Sequence, residues 1–336
     1  MQSFEFLRPA DPAAAIAAAS RAATAQQGAE IRFLAGGTTL VDLMKLGVET
    51  PQLVVDINRL GLDGIGREAD GGLRIGATAR NSDLAHHPIV QADYAALSQA
   101  ILSGASTQLR NAATTAGNLL QRTRCLYFRD TATPCNKRQP GSGCPAIGGA
   151  HRMLAILGTS DHCIASNPSD MAVAMLAYDA VVHCQGPRGA RQVAIADFFL
   201  LPGDTPDREN VLRPGELVTH VTLPPPEEGA RAAYLKLRDR ASYEFALVSA
   251  AVSVTLAAGK VASARFALGG VGTRPWRVPA AEAALIGQAP AEAAFRRAAD
   301  LALAGARPRS ENGFKVELAR RCLVHALTQV TREPAP

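Results

Sequence analysis

Four cysteines, Cys125, Cys135, Cys144 and Cys163, fall within one irregular stretch of the chain, and Gly36-Gly37-Thr38-Thr39 places two glycines and two hydroxyls where a strand gives way to a helix. Both groups have the residue types for a defined chemistry. Thiolates ligate soft metals and inorganic clusters. Glycines at the start of a helix let backbone N–H groups approach an anion closely, with the positive end of the helix behind them. Successive cysteines are separated by 9, 8 and 18 residues, which is neither a zinc-ribbon nor a ferredoxin spacing. Disulfides would need an oxidising compartment. Zinc would be satisfied by four thiolates, with His151 and His162 also available. A [4Fe–4S] core on four thiolates carries a net charge of roughly −2, which suits the local excess of Arg122, Arg124, Arg129, Lys137 and Arg138 over Asp130. A solvated basic loop would carry the same residues, so cluster, zinc and unligated thiols all stay open on spacing alone. Cys184, in a strand, and Cys322, in an apolar helix, are expected to be inert core residues.

The stretch Leu34-Ala35-Gly36-Gly37-Thr38-Thr39-Leu40 would accept a diphosphate on its backbone, although an ordinary tight turn has the same composition. It is not the dinucleotide fingerprint G-x-G-x-x-G. The nearest approach to that pattern, Gly270-Val271-Gly272-Thr273-Arg274-Pro275, lacks the third glycine and meets proline where a helix should open. A second small-residue segment, Thr114-Thr115-Ala116-Gly117-Asn118-Leu119, would supply another backbone cradle. Together the two would bracket a long ligand carrying a diphosphate.

These residues need a scaffold, and the 336-residue chain is long enough for two cores. Its 47% hydrophobic and 19% charged residues exclude a disordered chain, and no apolar run approaches the ~20 residues of a membrane span. A net charge of +5 with 5% aromatics gives neither the basic stripe nor the stacking platforms of a nucleic-acid binder. Met1–Arg8 carries Glu5 and no basic cluster, and Asp11-Pro12 caps a helix expected to run to about Ala25; without an export signal, folding in the cytoplasm is expected. Strands are expected at Ile31–Leu34 and Leu53–Ile57, with a hairpin of Gly64–Arg67 and Gly72–Ala77 about Asp70-Gly71. Helices are expected at Leu40–Leu46, Asn81–His87 and Ala95–Gly104. From Thr123 to Pro168, prolines and glycines break every pattern, and so long a loop in a compact domain is usually functional. Helix returns at Ser169–Tyr178 and strand at Ala180–Cys184. Pro224-Pro225-Pro226 marks a linker, after which strands at Ala232–Arg238, Ala246–Leu256 and Ala262–Leu268 precede helices near Ala280–Leu285, Ala291–Ala304 and Gly313–Val330. Strands followed by helices describe an α+β second domain.

Four motifs in combination, LAGGTTL at Leu34–Leu40, TTAGNL at Thr114–Leu119, NPSDM at Asn167–Met171 and YLKLRDRASYEFALV at Tyr234–Val248, resemble the flavin-binding (medium) subunit of the molybdenum hydroxylases, the family of xanthine and carbon monoxide dehydrogenases. The four-cysteine loop is similar to that of the bacterial periplasmic aldehyde oxidoreductase branch, whose flavin subunit carries an extra [4Fe–4S] cluster; a benzoyl-CoA reductase relative has such a loop too. The resemblance covers almost the whole chain. It implies an α+β fold: an FAD-binding domain of the vanillyl-alcohol-oxidase (PCMH) type over 1–225, with the cluster loop inserted at about 123–168. A smaller C-terminal domain of the CO dehydrogenase flavoprotein type would follow over 230–332. It further implies that the FAD pyrophosphate lies on Leu34, Ala35, Gly36, Gly37, Thr38, Thr39 and Leu40 and on the turn of Thr114, Gly117 and Asn118. Asp170 would hold the flavin's polar tail or ring edge near Thr123, and Lys236 would reach the flavin from the second domain. Cys125, Cys135, Cys144 and Cys163 would ligate the cluster. A helix cap for Asp170 and an exposed strand lysine for Lys236 are the plain alternatives. Glu244 stands where many relatives have Asp, so it is left outside the binding set, and Tyr243 is unassigned.

The implied role is electron relay in a heterotrimeric, molybdenum-dependent aldehyde oxidoreductase. A large molybdenum-cofactor subunit would oxidise substrate, a small subunit with two [2Fe–2S] clusters would carry electrons to FAD on this chain, and an external acceptor would take them. The chain would be inactive on aldehydes alone, and if periplasmic would be exported with a signal-bearing partner. The alternatives are a standalone flavin oxidase, a xanthine dehydrogenase-like or aromatic acyl-CoA reductase subunit, and a zinc-stabilised scaffold.

Overall fold

A computed structural model describes residues 1–332. Three short strands near the N-terminus, β1 (Glu5–Leu7), β2 (Ile31–Leu34) and β3 (Leu53–Asp56), form a parallel sheet in the order β1-β3-β2. Parallel neighbours need crossovers, which the helices Pro12–Ala19 and Leu40–Lys45 provide. The central strand reads Leu-Val-Val-Asp and is buried throughout, as expected of a strand covered on both faces. The first helix stops at Ala19, short of the expected Ala25, and the chain beyond it tightens into i→i−3 bonds from the Arg21 and Ala22 N–H groups to the Ala18 and Ala19 carbonyls.

The second sheet is antiparallel: β4 (Ile65–Arg67), β5 (Leu73–Gly76), β6 (Val181–Gly186), β7 (Gly189–Ala194) and β8 (Leu217–Leu223), ordered β4-β5-β8-β6-β7. Leu73, Ile75, Val182 and Val221 pack beneath the helices Ala95–Ser103 and Asp170–Ala177 in the first large core. The third sheet, β9 (Arg231–Leu237), β10 (Val248–Ala257) and β11 (Lys260–Gly269), is antiparallel with β10 central. It carries the helices Glu292–Leu303 and Phe314–Thr331 on one face. Because strand side chains alternate in direction, this sheet is a wall between the two cores. Ala233, Leu235 and Leu237 of β9 face the C-terminal core, and Ala232 and Tyr234 face the first.

The irregular cysteine segment is more ordered than its composition suggests. It contains the helical turns Leu126–Arg129 and Pro145–Ile147, and then enters the C-terminal core. Ile156 and Leu157 are fully buried there, their N–H groups donating to the Val271 carbonyl at 2.8 and 3.0 Å. Lys315, also fully buried, spends its three ammonium protons on the carbonyls of Met153, Leu154 and Gly270 at 3.0, 3.0 and 2.8 Å. Burial pulls its pKa down to about 7, while those three acceptors suit the charged form. The C-terminal helix therefore grips the distal arm of the cysteine segment. Among the described residues, no helix is long and apolar enough to cross a membrane.

Replacing Lys315 by Met keeps the volume but leaves the Gly270 carbonyl without a donor and those of Met153 and Leu154 with only Ser166 Oγ and Asn312 Nδ2, so a loss of about 2 kcal/mol is expected, read as a lower melting temperature with faster proteolysis between residues 150 and 158. Unchanged stability and cleavage would show that the lysine does not hold the segment.

Candidate functional site

The glycine loop is shaped by what lies behind it. Gly36 presses on the backbone at Ala112, where any Cβ would overlap the carbonyl oxygen, and Gly37 adopts φ +73°, a left-handed conformation that favours glycine. Asn58 braces the loop by donating to the Ala35 carbonyl at 2.9 Å, and Arg80 ties the Asn58 side chain to the Ala112 carbonyl. Among the described residues, no acceptor faces the N–H groups of Gly36, Gly37, Thr38 and Thr39. Four backbone donors in a row are thus left for an anion, in a cleft rather than a close-packed turn.

That cleft is long. A cavity with about 1270 Å³ of open space runs from Ile31, Leu217 and Val218 past Ala35–Leu40. A second, of about 1100 Å³, continues from Thr38, Thr39 and Asn118 to Asp170, Lys236 and Tyr243. The two share Thr38, Thr39, Gly117 and Arg122, so the unused amides lie at the junction. An elongated ligand with a central diphosphate fits this geometry, with charged side chains among the lining residues of both cavities.

The Thr114–Leu119 turn contributes differently from expectation. Its amides are already spent: Thr115 and Ala116 donate to the Ala79 and Ala77 carbonyls, Gly117 to the Thr114 hydroxyl and Asn118 to the Thr114 carbonyl. It is therefore a close-approach surface, where a Cβ on Gly117 would crowd Thr114 Oγ1 at 2.8 Å, and not a second donor cradle. Asn118 Oδ1 accepts from the Ser169 hydroxyl at 2.7 Å, which joins this turn to the helix beginning at Asp170.

Ser169, not Asp170, caps that helix, accepting from the Ala172 N–H at 3.0 Å. The Asp170 carboxylate is free of the cap and reaches across to β9. Its Oδ2 accepts from Lys236 Nζ at 2.8 Å and its Oδ1 from Tyr234 Oη at 2.6 Å. Lys236 is no exposed strand lysine: its side chain is 3% accessible and also donates to the Ser103 carbonyl. Of the residues expected at the site, Ala35–Leu40, Thr114, Gly117, Asn118, Asp170 and Lys236 line the groove, whereas Leu34 ends the strand behind it. Thr123 lies elsewhere; its hydroxyl donates to the Ser166 carbonyl and accepts from Cys125 N–H, bracing both ends of the cysteine segment. Sequence reasoning missed Asn58, Arg80 and Tyr234, whose roles rest on contacts 22 to 64 residues away along the chain.

The four expected thiols do converge. Cys125, Cys135, Cys144 and Cys163 all line one small pocket walled by Phe128, Pro134 and Ala146. Burial pushes the Cys125 thiol up to about 11 and raises Cys144 and Cys163, with the neighbouring sulfurs adding to the effect. Among the described residues, no three His, Cys, Asp or Glu side chains close on a single metal ion, which is the arrangement that zinc requires. His151 is also committed: Nε2 accepts from Glu311 N–H, so Nδ1 carries the proton towards the Ala146 carbonyl. His162 faces Asp204 at the surface.

The basic excess beside the thiols is answered mainly by acids brought from elsewhere. Arg124 and Arg129 both pair with Asp42, and Arg138 is spent on the Tyr127 and Phe128 carbonyls. Arg122, stacked on Phe128, pairs with Glu49 and Glu209, and Lys137 pairs with Glu209 at 3.0 Å. This chain of ion pairs separates the groove from the thiol pocket. Burial alone would raise the Glu209 carboxyl; Arg122 and Lys137 outweigh it and hold it below the usual range.

The chain matches two families, one described as the FAD binding domain in molybdopterin dehydrogenase, over residues 2–226, and the CO dehydrogenase flavoprotein C-terminal domain, over 232–330. It is 52% identical over 330 residues to the aldehyde oxidoreductase FAD-binding subunit PaoB of Escherichia coli, covering 98% of each chain. It is 28% identical to the carbon monoxide dehydrogenase medium chain of Hydrogenophaga pseudoflava, covering 90% of each. In structure it resembles a chain of CO dehydrogenase from Oligotropha carboxidovorans with a TM-score of 0.77, 26% identity and 98% of each chain covered.

Gly36→Ala must displace the loop from Ala112, so FAD affinity should fall at least tenfold, about 1.4 kcal/mol. Equilibrium titration of the deflavinated chain reads this directly, and wild-type affinity would remove the loop from the site. Glu209 has its carboxyl depressed in the fold, so its stabilisation is present above the unfolded value near 4.5 and is lost as pH falls through the lower folded one. Glu209→Gln should lower stability by about 2 kcal/mol at neutral pH and flatten that acid limb in melting curves; an unchanged limb would contradict the assignment.

Proposed function

The chain belongs to the family of FAD-binding medium subunits of the molybdenum hydroxylases, a flavoprotein component of an oxidoreductase complex, and on that premise we propose that it is the electron-relay subunit of an aldehyde-oxidising assembly. The single observation that carries this reading is the run of unused amides at Gly36–Thr39, set at the junction of a groove that ends at the Asp170–Lys236 pair. In this reading those amides hold the FAD diphosphate, Gly117 and Asn118 allow its close approach, and Asp170 and Lys236 orient the flavin end. Bound FAD supplies a carrier that takes up two electrons and gives them to an external acceptor. The chain's residues bind and orient it and set the charge around it.

Two partners complete the proposal: a large subunit with the molybdenum cofactor, where the aldehyde is oxidised, and a small subunit with two [2Fe–2S] clusters that delivers electrons here. The aldehyde class rests on the similarity to the Escherichia coli subunit. The division into an FAD domain over 1–225 and a C-terminal domain over 230–332 is part of the same reading.

Cys125, Cys135, Cys144 and Cys163 would hold a [4Fe–4S] cluster. That all four line one pocket supports this, since a cluster takes one thiolate on each of its irons. Ligation requires thiolates, so iron must displace protons that burial otherwise retains.

Anaerobic purification of the full chain, with acid extraction of flavin and iron and sulfide analysis, tests both parts. The expected content is FAD together with about four iron and about four sulfide per chain, and no flavin reduction by aldehydes without the other subunits. Cys135→Ser should remove the iron and leave the FAD. A colourless, zinc-containing chain would overturn the reading, rapid reduction by aldehyde alone would favour a standalone oxidase, and iron that survives Cys135→Ser would break the ligand assignment.

A further inference from the structure

We propose that Tyr234 is a positioning residue that sets the potential of the bound flavin through Asp170 and Lys236; this rests on the flavin reading of the groove. Tyr234 and Lys236 are two residues apart on β9, so both project from the face of the third sheet that meets the first core. They reach the same carboxylate. The phenol donates to Asp170 Oδ1 at 2.6 Å and the ammonium to Oδ2 at 2.8 Å. Asp170 and Lys236 line the cavity assigned to the flavin end, whereas Tyr234 lies behind them. Its influence on the flavin must therefore pass through Asp170.

The phenol has one proton to donate, and that bond uses it. Burial, reinforced by the Asp170 charge, raises the phenol well above its ordinary pKa, so it stays a donor across the working pH range. An O–H···O⁻ bond of this length is charge-assisted. It draws charge from the carboxylate and fixes its rotation, so that Asp170 only partly cancels the Lys236 ammonium. What remains is a positive field on the cavity, and a positive field favours the electron-rich reduced flavin over the oxidised one. Without the phenol, Asp170 neutralises Lys236 more fully and the reduced form loses its advantage.

The test is a spectroscopic redox titration of the FAD-loaded full chain and its Tyr234→Phe variant, which retains the buried ring. The expected result is roughly tenfold weaker binding of reduced relative to oxidised FAD, which for a two-electron couple is a midpoint about 30 mV more negative. Site-specific replacement of Tyr234 by 3,5-difluorotyrosine, a stronger donor of nearly the same shape, should move the midpoint the other way. A lower melting temperature with the midpoint unchanged in both variants would mean that Tyr234 is only structural, and would overturn the proposal. A wild-type chain that holds no flavin would instead overturn the functional reading on which it rests.

Discussion

The two large cores meet at one shared carboxylate. Asp170 stands at the start of a helix in the first core, with Ser169 carrying out the capping that would otherwise occupy it, and both of its donors come from β9. Buried ion pairs contribute little net stability, because desolvation offsets most of their attraction. Their value lies in geometry: the carboxylate accepts the phenol on one oxygen and the ammonium on the other, and so fixes the angle at which the third sheet closes the groove. Were β9 to slip by one residue, Tyr234 and Lys236 would turn towards the C-terminal core and Leu235 would face the groove.

The alternation in the third sheet thus decides both packing and chemistry. One face sends Leu235, Leu237, Val252 and Phe266 against the C-terminal helices, and the other sends Tyr234, Ala251 and Ala267 against the first core. The cysteine segment is held between the same two bodies. Its proximal end is tied by Thr123 to Ser166 and by Arg122 and Lys137 to Glu209, and its distal arm by Lys315 and the Val271 carbonyl. A loop composed to resist regular structure gains its order from such long-range contacts.

Much of this was legible in the residues. The hairpin about Asp70-Gly71, the β10–β11 pair and the final helix fall within a residue or two of where their patterns put them. Local chemistry fixes such elements: a turn dipeptide, an alternating run, an apolar stripe. β1, β7 and β8 went unread for different reasons. β1 has three exposed residues and no period to detect, whereas β8, Leu-Val-Thr-His-Val-Thr-Leu, alternates plainly but runs straight into the prolines that drew attention as a linker. At the site, the motifs located the glycine loop and Asp170, but only three-dimensional contacts reveal that the Thr115–Asn118 amides are already used, that the Thr123 hydroxyl braces the cysteine segment, and that Tyr234 shares the carboxylate. The charge excess at Arg122–Arg138 showed the same limit, since its partners Asp42, Glu49 and Glu209 lie far off in sequence.

Cofactor binding in this chain depends on backbone donors left free for an anion at Gly36–Thr39. Hydrogen–deuterium exchange of the full chain, deflavinated and then loaded with FAD, observes those donors individually. Exchange at Gly36, Gly37, Thr38 and Thr39 should slow by at least about tenfold, equivalent to about 1.4 kcal/mol of added protection, together with the segment around Asp170. Protection that appears elsewhere while those four amides exchange as before would contradict this dependence.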